Sequence, residues 1–133
     1  MYKAYAFPLT ADLSDTADTK QLLFECPHAG RLNLEESFIM WTEATGTQTS
    51  AVAVQAIEIN DVEVATLTAN QSDAIGQTQR FTVTDGAIAG LSAGNPVVDL
   101  AAGDIIGLVT KTQASGGTTT GDGTHYLSLD WAV

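Results

Sequence analysis

The stretch Ile57-Glu58-Ile59-Asn60-Asp61-Val62-Glu63-Val64 alternates apolar and acidic residues on both sides of an Asn-Asp pair. Asn and Asp tolerate the positive φ that a two-residue hairpin turn demands. A turn at Asn60-Asp61 sets Ile59 opposite Val62 and Ile57 opposite Val64, with all four side chains on one face. A slip of one residue would scatter those four over both faces, so burial specifies the register. The same register places Glu58 directly opposite Glu63. A chain built around such a hairpin folds as sheet.

The rest of the sequence has the same texture. Short alternating runs are punctuated by Gly, Asn, Asp and Ser, and helical periodicity is hard to find over any dozen residues, which is the pattern of an all-β sandwich or barrel. Lys20 to Pro27 reads as the first core strand, and Arg31 to Glu43 as the second, joined by the turn chemistry of Pro27-His28-Ala29-Gly30. Glu35-Glu36-Ser37 interrupts the second strand, and a bulge or bend there would account for it. Thr78 to Thr84 is a strand with Phe81 and Val83 inward. Ala87 to Asn95 is a small, glycine-rich loop or short helical turn, and Ile105 to Thr112 is a further strand. His125 to Val133 closes the chain, with Leu127, Leu129, Trp131 and Val133 on one face. Gln113 to Thr124 holds no apolar residue beyond one alanine, so it is expected to protrude as a mobile loop on the outer surface. Residues 1–19 contain an aromatic part (Tyr2, Tyr5, Phe7) and a polar part without an apolar face. They are expected to form an extended N-terminal arm leading into a single antiparallel β-sandwich domain at 20–133.

Composition narrows the function. Five Lys and Arg stand against sixteen Asp and Glu, a net charge of -11. Such a surface repels phosphate backbones, because Lys and Arg supply non-specific nucleic-acid affinity. Nucleic acid and anionic membranes are therefore not expected as partners. No run approaches the roughly 18 apolar residues of a spanning helix, and residues 1–8 lack a secretory pattern, so the expected product is made in the cytoplasm without export.

The candidate chemistry is thin. Cys26 is the only cysteine, and His28 and His125 are the only histidines. No motif marks a nucleophile, so a buried Cys26, a turn His28 and a half-exposed His125 are the expectation. Asp12, Asp15 and Asp18 do not have the spacing of a calcium loop, and Asp122-Gly123 offers one carboxylate. The glycines at 116, 117, 121 and 123 lack the helix and lysine of a phosphate loop. No catalytic residue, metal or cofactor is expected. Trp41 and Trp131 share strand faces with aliphatic residues and read as core. Glu58, Asp61 and Glu63 converge on one hairpin tip. They are either a cation or Lys/Arg docking point on a partner, or a solvated acidic surface. Tyr2, Tyr5 and Phe7 are expected to pack on another copy or on a partner subunit.

One resemblance follows from the apolar strand and Pro–Gly turn of Leu22-Leu23-Phe24-Glu25-Cys26-Pro27-His28-Ala29-Gly30-Arg31-Leu32. With it go Ala102-Gly103-Asp104-Ile105-Ile106-Gly107-Leu108, a Gly-rich loop, and Tyr126-Leu127-Ser128-Leu129-Asp130-Trp131. An acidic, Lys-poor, Thr- and Ala-rich β chain with these segments resembles the capsid decoration (head auxiliary, or cement) proteins of tailed bacteriophages. The resemblance implies a jelly-roll-like sandwich and a non-enzymatic virion protein on the capsid surface, assembled in the host cytoplasm. It also implies two partners, the major capsid protein and further copies of itself, as a homotrimer. Two competing classes remain. A carbohydrate-binding sandwich would present a solvent-facing aromatic row, and a small β-barrel enzyme would need a deep pocket around His28 or His125.

Overall fold

The structure, a computed structural model, describes residues 1–117 and 121–131, with the backbone alone at 8–11 and 22. Ten strands follow in order: β1 (Lys3–Asp12), β2 (Thr19–Glu25), β3 (Gly30–Trp41), β4 (Val54–Ile59), β5 (Val62–Thr68), β6 (Thr78–Arg80), β7 (Thr82–Val83), β8 (Val97–Leu100), β9 (Ile105–Thr112) and β10 (Asp122–Asp130). There is no helix among the described residues.

The Asn60-Asp61 turn forms as expected, with φ of 50° and 65° at the two residues. Ile59 pairs with Val62 and Glu58 with Glu63, but a bulge at Val64 puts Ala65, not Val64, opposite Ile57. Both Val64 and Ala65 are buried as a result. Outside this hairpin the chain pairs with itself in nested shells: β3 with β8, β2 with β9, and β1 with β10, all antiparallel. Rolled up, that long double ribbon gives two sheets. One runs β1-β10-β3, with β6 and β8 sharing the far edge of β3, and the other runs β2-β9-β4-β5-β7. This is a jelly-roll winding of an antiparallel β-sandwich.

Leu32, Leu34, Ile39, Trp41, Leu127 and Leu129 from the first sheet meet Ile57, Ile59, Leu67, Ile106 and Leu108 from the second. The interruption expected in β3 is a large bulge: Leu34 to Ser37 oppose the single Leu127. The Ser37 hydroxyl fills the broken ladder, accepting from Ser128 N (3.1 Å) and donating to Asn33 O (2.8 Å).

The expected strand Thr78–Thr84 divides. β6 pairs with β3 in the first sheet and β7 with β5 in the second, and buried Phe81 marks the crossing. That crossing closes one side of the sandwich. Strand β8, which pairs with Gly30–Asn33 of β3, was not foreseen from the residues.

Two expectations are corrected. Residues 3–12 are no arm: β1 is an edge strand of the domain's own first sheet, bonded along β10. A jelly roll needs a first strand for its last, and an edge strand with one covered face shows little apolar periodicity. Phe7 turns inward and meets Phe24 edge-on, ring centroids 5.7 Å apart. Gln113 to Thr124 is no protruding loop in its described parts. Ala114 is buried, Ser115 bridges Ala51, and Gly121 O accepts from Leu13 N at 3.0 Å. Backbone bonding to neighbouring loops holds this segment where apolar side chains are few. Residues 118–120 of that segment, and Val133, lie outside the described residues.

If β1 belongs to the core, Phe7→Ala removes a buried aromatic and is expected to cost about 3 kcal/mol of unfolding free energy. Urea denaturation at unchanged slope measures it. A loss below about 0.5 kcal/mol, the range of a neutral surface change, would restore the arm.

Candidate functional site

Opposite the closed β6–β7 side, β1 and β2 are the outer strands of the two sheets. Rings fill the gap between them: Phe7 on Phe24, Phe24 on Trp131 at 6.2 Å, and Trp131 against the exposed His28 at 5.3 Å. The indole also lies on Gly30, where a Cβ would sit 2.5 Å from its ring, so only glycine permits this seat. Trp131 is therefore half-buried packing, as its strand face suggested. Tyr2, Tyr5 and Leu23 stay exposed on this side, Leu23 at 58%. Tyr5, His28, Trp131, Lys3 and Asp130 line a shallow cleft of about 480 Å³ here. Of the three N-terminal aromatics named from the sequence, Tyr2, just before β1, and Tyr5 in β1 are exposed, and Phe7 is not.

The hairpin carboxylates have a different fate. Glu58 projects from the outer face of the second sheet yet is only 5% exposed. Lys20 Nζ donates to Glu58 Oε1 (3.0 Å) and Asp61 Oδ1 (3.0 Å), and Lys111 Nζ donates to Glu58 Oε2 (3.1 Å). Lys111 also pairs with Asp18 at 3.5 Å. The result is a five-residue chain of alternating charge, Asp61–Lys20–Glu58–Lys111–Asp18, over which the lysine stems lie as a cover. The repulsion expected between Glu58 and Glu63 is thus relieved from within. Burial alone would raise the Glu58 carboxyl, but the hydrogen bonds from Lys20 and Lys111 outweigh it and hold the group below its usual range. Glu63 is half-buried and makes no ion pair among the described residues. Sequence reasoning missed the two lysines, which come from strands 38 and 53 residues away.

His125 is the second correction at side-chain level. Expected half-exposed, it is fully buried between the sheets, stacked on Phe81 at 6.2 Å. A bulge in β2 turns Gln21 inward. Its Nε2 donates to Thr110 Oγ1 (2.9 Å) and Asp15 Oδ2 (3.2 Å), which leaves Oε1 to accept from His125 Nε2 at 3.0 Å. Thr110 in turn bonds Gln55. This polar thread ties β10 to β2, β9 and β4 across the core. His125 Nδ1 is then a bare lone pair with no partner among the described residues. Burial lowers the imidazole pKa to about 4, so the ring is neutral near pH 7.

Nothing in these surroundings prepares a nucleophile. Cys26 is buried, and burial, then Asp104 and Glu25, push its thiol up, away from the reactive thiolate. Among the described residues no three His, Cys, Asp or Glu side chains are placed to hold a metal ion. Asp122, in β10, has its carboxyl raised by burial and by neighbouring Asp12 and Glu43. On the outer face of the first sheet Tyr126 stacks on Phe38 at 4.9 Å, and Arg80 lies over Phe38 and pairs with Glu36 at 3.3 Å. Three of the five Lys and Arg, Lys20, Arg80 and Lys111, are thereby engaged in ion pairs with the chain's own carboxylates. Compared with known proteins, the chain matches no family model, no curated protein and no solved structure.

Glu58→Gln leaves two lysines facing a neutral amide. It is expected to cost about 1–2 kcal/mol, less than the 3–5 of a fully buried pair because both lysines keep contact with water. The Glu58 contribution is present above the usual carboxylate pKa and is lost as pH falls through its lowered folded value. Acid melts of the parent and the Gln variant should therefore converge at low pH. For His125 the folded pKa of about 4 lies below the ordinary 6.5. Its contribution, about 3 kcal/mol at full extent, is present above pH 6.5 and drains away towards pH 4. His125→Leu should flatten the stability–pH profile in that window, whatever its effect at pH 7.

Proposed function

We propose that this chain is a non-enzymatic structural protein of a virion, a decoration subunit that binds the outer surface of a tailed-phage capsid and stabilises it. The observation that carries the reading is the asymmetry of the sandwich. One side is closed by the β6–β7 crossing, while the other presents two edge strands, β1 and β2, with Tyr2, Tyr5 and Leu23 exposed along them. Edge strands offer unpaired backbone groups, and natural proteins cover, shorten or charge them unless they are used. Here the edge is long, has its charged residues (Lys3, Asp12, Lys20 and Glu25) at or near the strand ends, and is uncharged over Tyr5, Phe7 and Leu23. Jelly rolls serve both capsid and lectin domains, so the fold permits this role without selecting it.

The partners in this reading are the major capsid protein and further copies of the chain, as a homotrimer. The net charge of -11 keeps such a subunit off the packaged genome and off host membranes. Neither a metal nor a cofactor has a part in it. A second reading, a carbohydrate-binding module, draws on the Tyr5–His28–Trp131 cleft, where ring faces and the Asp130 carboxylate lie close together.

The test is co-sedimentation with shells assembled from the major capsid protein of the suspected phage. Leu23→Asp and Tyr5→Ser should each abolish attachment while leaving the melting temperature within a few degrees of the parent. Attachment unaffected by both would remove the edge from the reading. Absence of attachment by the parent, combined with glycan binding that Tyr5→Ser destroys, would favour the lectin reading instead.

A further inference from the structure

A second concavity lies at the end of the sandwich that carries the Asn60-Asp61 turn, remote in sequence from β1 and β2. It measures about 380 Å³ and opens between the two sheets, within the range of small-ligand and side-chain pockets. Part of its wall is apolar, where Ile59 and Leu91 belong to the core, Ile88 is half-buried and Val62 is 42% exposed; Asn60 and Asn95 add polar lining, and both are bonded within the fold. Its rim is anionic, formed by Asp99 on β8 and Asp104 before β9.

The two carboxylates differ in how firmly they are held. Asp104 Oδ2 accepts from Ala101 N (2.8 Å), and Oδ1 accepts from Asn60 Nδ2 (3.0 Å). Asn60 Oδ1 accepts from Ile105 N (2.9 Å), so the hairpin turn and the 101–104 turn lock each other. Those bonds keep the Asp104 carboxyl below its usual range, and so ionised. An ionised carboxylate has about four acceptor positions, and two are used here. Asp99 is exposed, and no ion pair joins it to Arg31, its cross-strand neighbour, among the described residues. An exposed valine beside two unneutralised carboxylates is an arrangement with an apolar demand and a charge demand at adjoining points.

We infer that this cleft receives a long basic side chain, lysine or arginine, from a partner protein, with its aliphatic stem on Val62, Ile88 and Leu91 and its cation between Asp99 and Asp104. A purely apolar ligand would leave both carboxylates facing a dried rim, which is costly. A bare cation would leave the apolar walls wet. A stem with a terminal charge meets both demands at once, and the net charge of -11 draws such a group in from a distance. The cleft shares no residue with the β1–β2 edge, so this inference and the capsid reading fail separately.

The experiment is an amide NMR titration of the full chain with a blocked Gly-Lys-Gly tripeptide and its norleucine counterpart, which keeps the stem and loses the charge. At matched ionic strength the lysine peptide should shift the amides of Val62, Ile88 and Leu91 and bind roughly fivefold more tightly than norleucine, the scale of one half-screened ion pair. Asp99→Asn, at an exposed position, should cut that preference to about twofold, the part left to Asp104, and Val62→Ser should weaken both peptides equally. Norleucine binding as well as lysine would overturn the inference in favour of an apolar ligand. Shifts that are absent, or scattered over the acidic surface, would overturn it outright.

Discussion

Everything in this fold is referred to one tight turn. Asn60 and Asp61 take the positive φ values that reverse the chain with the twist a hairpin needs, and each later pairing lies outside the previous one around that point. The hairpin β4–β5 is the innermost pair and β1–β10 the outermost. Asn60 has a further duty, because its side chain bonds both Asp104 and the backbone of Ile105. The turn is thereby clamped to the start of β9, the strand that joins β2 to β4. A residue chosen for its backbone freedom also fixes the order of the second sheet.

The interior is less uniform than its aliphatic lining suggests. A thread of Gln21, Thr110, Gln55 and His125 runs between the sheets, and Ser37 repairs a ladder broken by the β3 bulge. Such groups are tolerated only when nearly all their bonding capacity is met, and met in one arrangement. They therefore register the two sheets against each other in a way that Leu and Ile, which pack acceptably in several arrangements, do not. On the outer face the Glu58 chain of charges performs the same office for β2, β9 and β4, in contact with water rather than away from it.

What could be read from the residues was mainly local. The turn, the opposition of Glu58 and Glu63, the burial of Trp41 and Cys26, and the interruption of β3 all follow from chemistry within a few positions. What escaped depended on partners far along the chain. β1 looked like an arm because an edge strand interrupted near Pro8 shows no clean alternation, and its justification is β10, more than a hundred residues on. Glu58 looked exposed because nothing near it announces Lys20 or Lys111. His125 was a different failure: it shares parity with Leu127 and Leu129, a local signal for the inner face, but was expected half-exposed as a polar residue opening the strand. The Gln113–Thr124 segment was misjudged for want of apolar side chains, although backbone bonding to other loops holds its described parts.

Nested pairing also sets an order in time. Each doubling of the chain between two strands adds only about 0.6 kcal/mol to the entropy of closing it, but the sum rises steadily from the two-residue turn to the ends. Closing β1 on β10 directly would span the chain from Lys3 to Leu129, whereas closing it after β2–β9 has formed spans little. Assembly is thus cheapest from the turn outward, in the manner of a zip, and contacts of such sequence separation make for slow folding. That entropic ordering places β1, the strand that carries Tyr5, last. By the same ordering it is the least costly strand to lift away, so on the proposed reading a subunit docked along β1 would close the fold at its most easily opened edge.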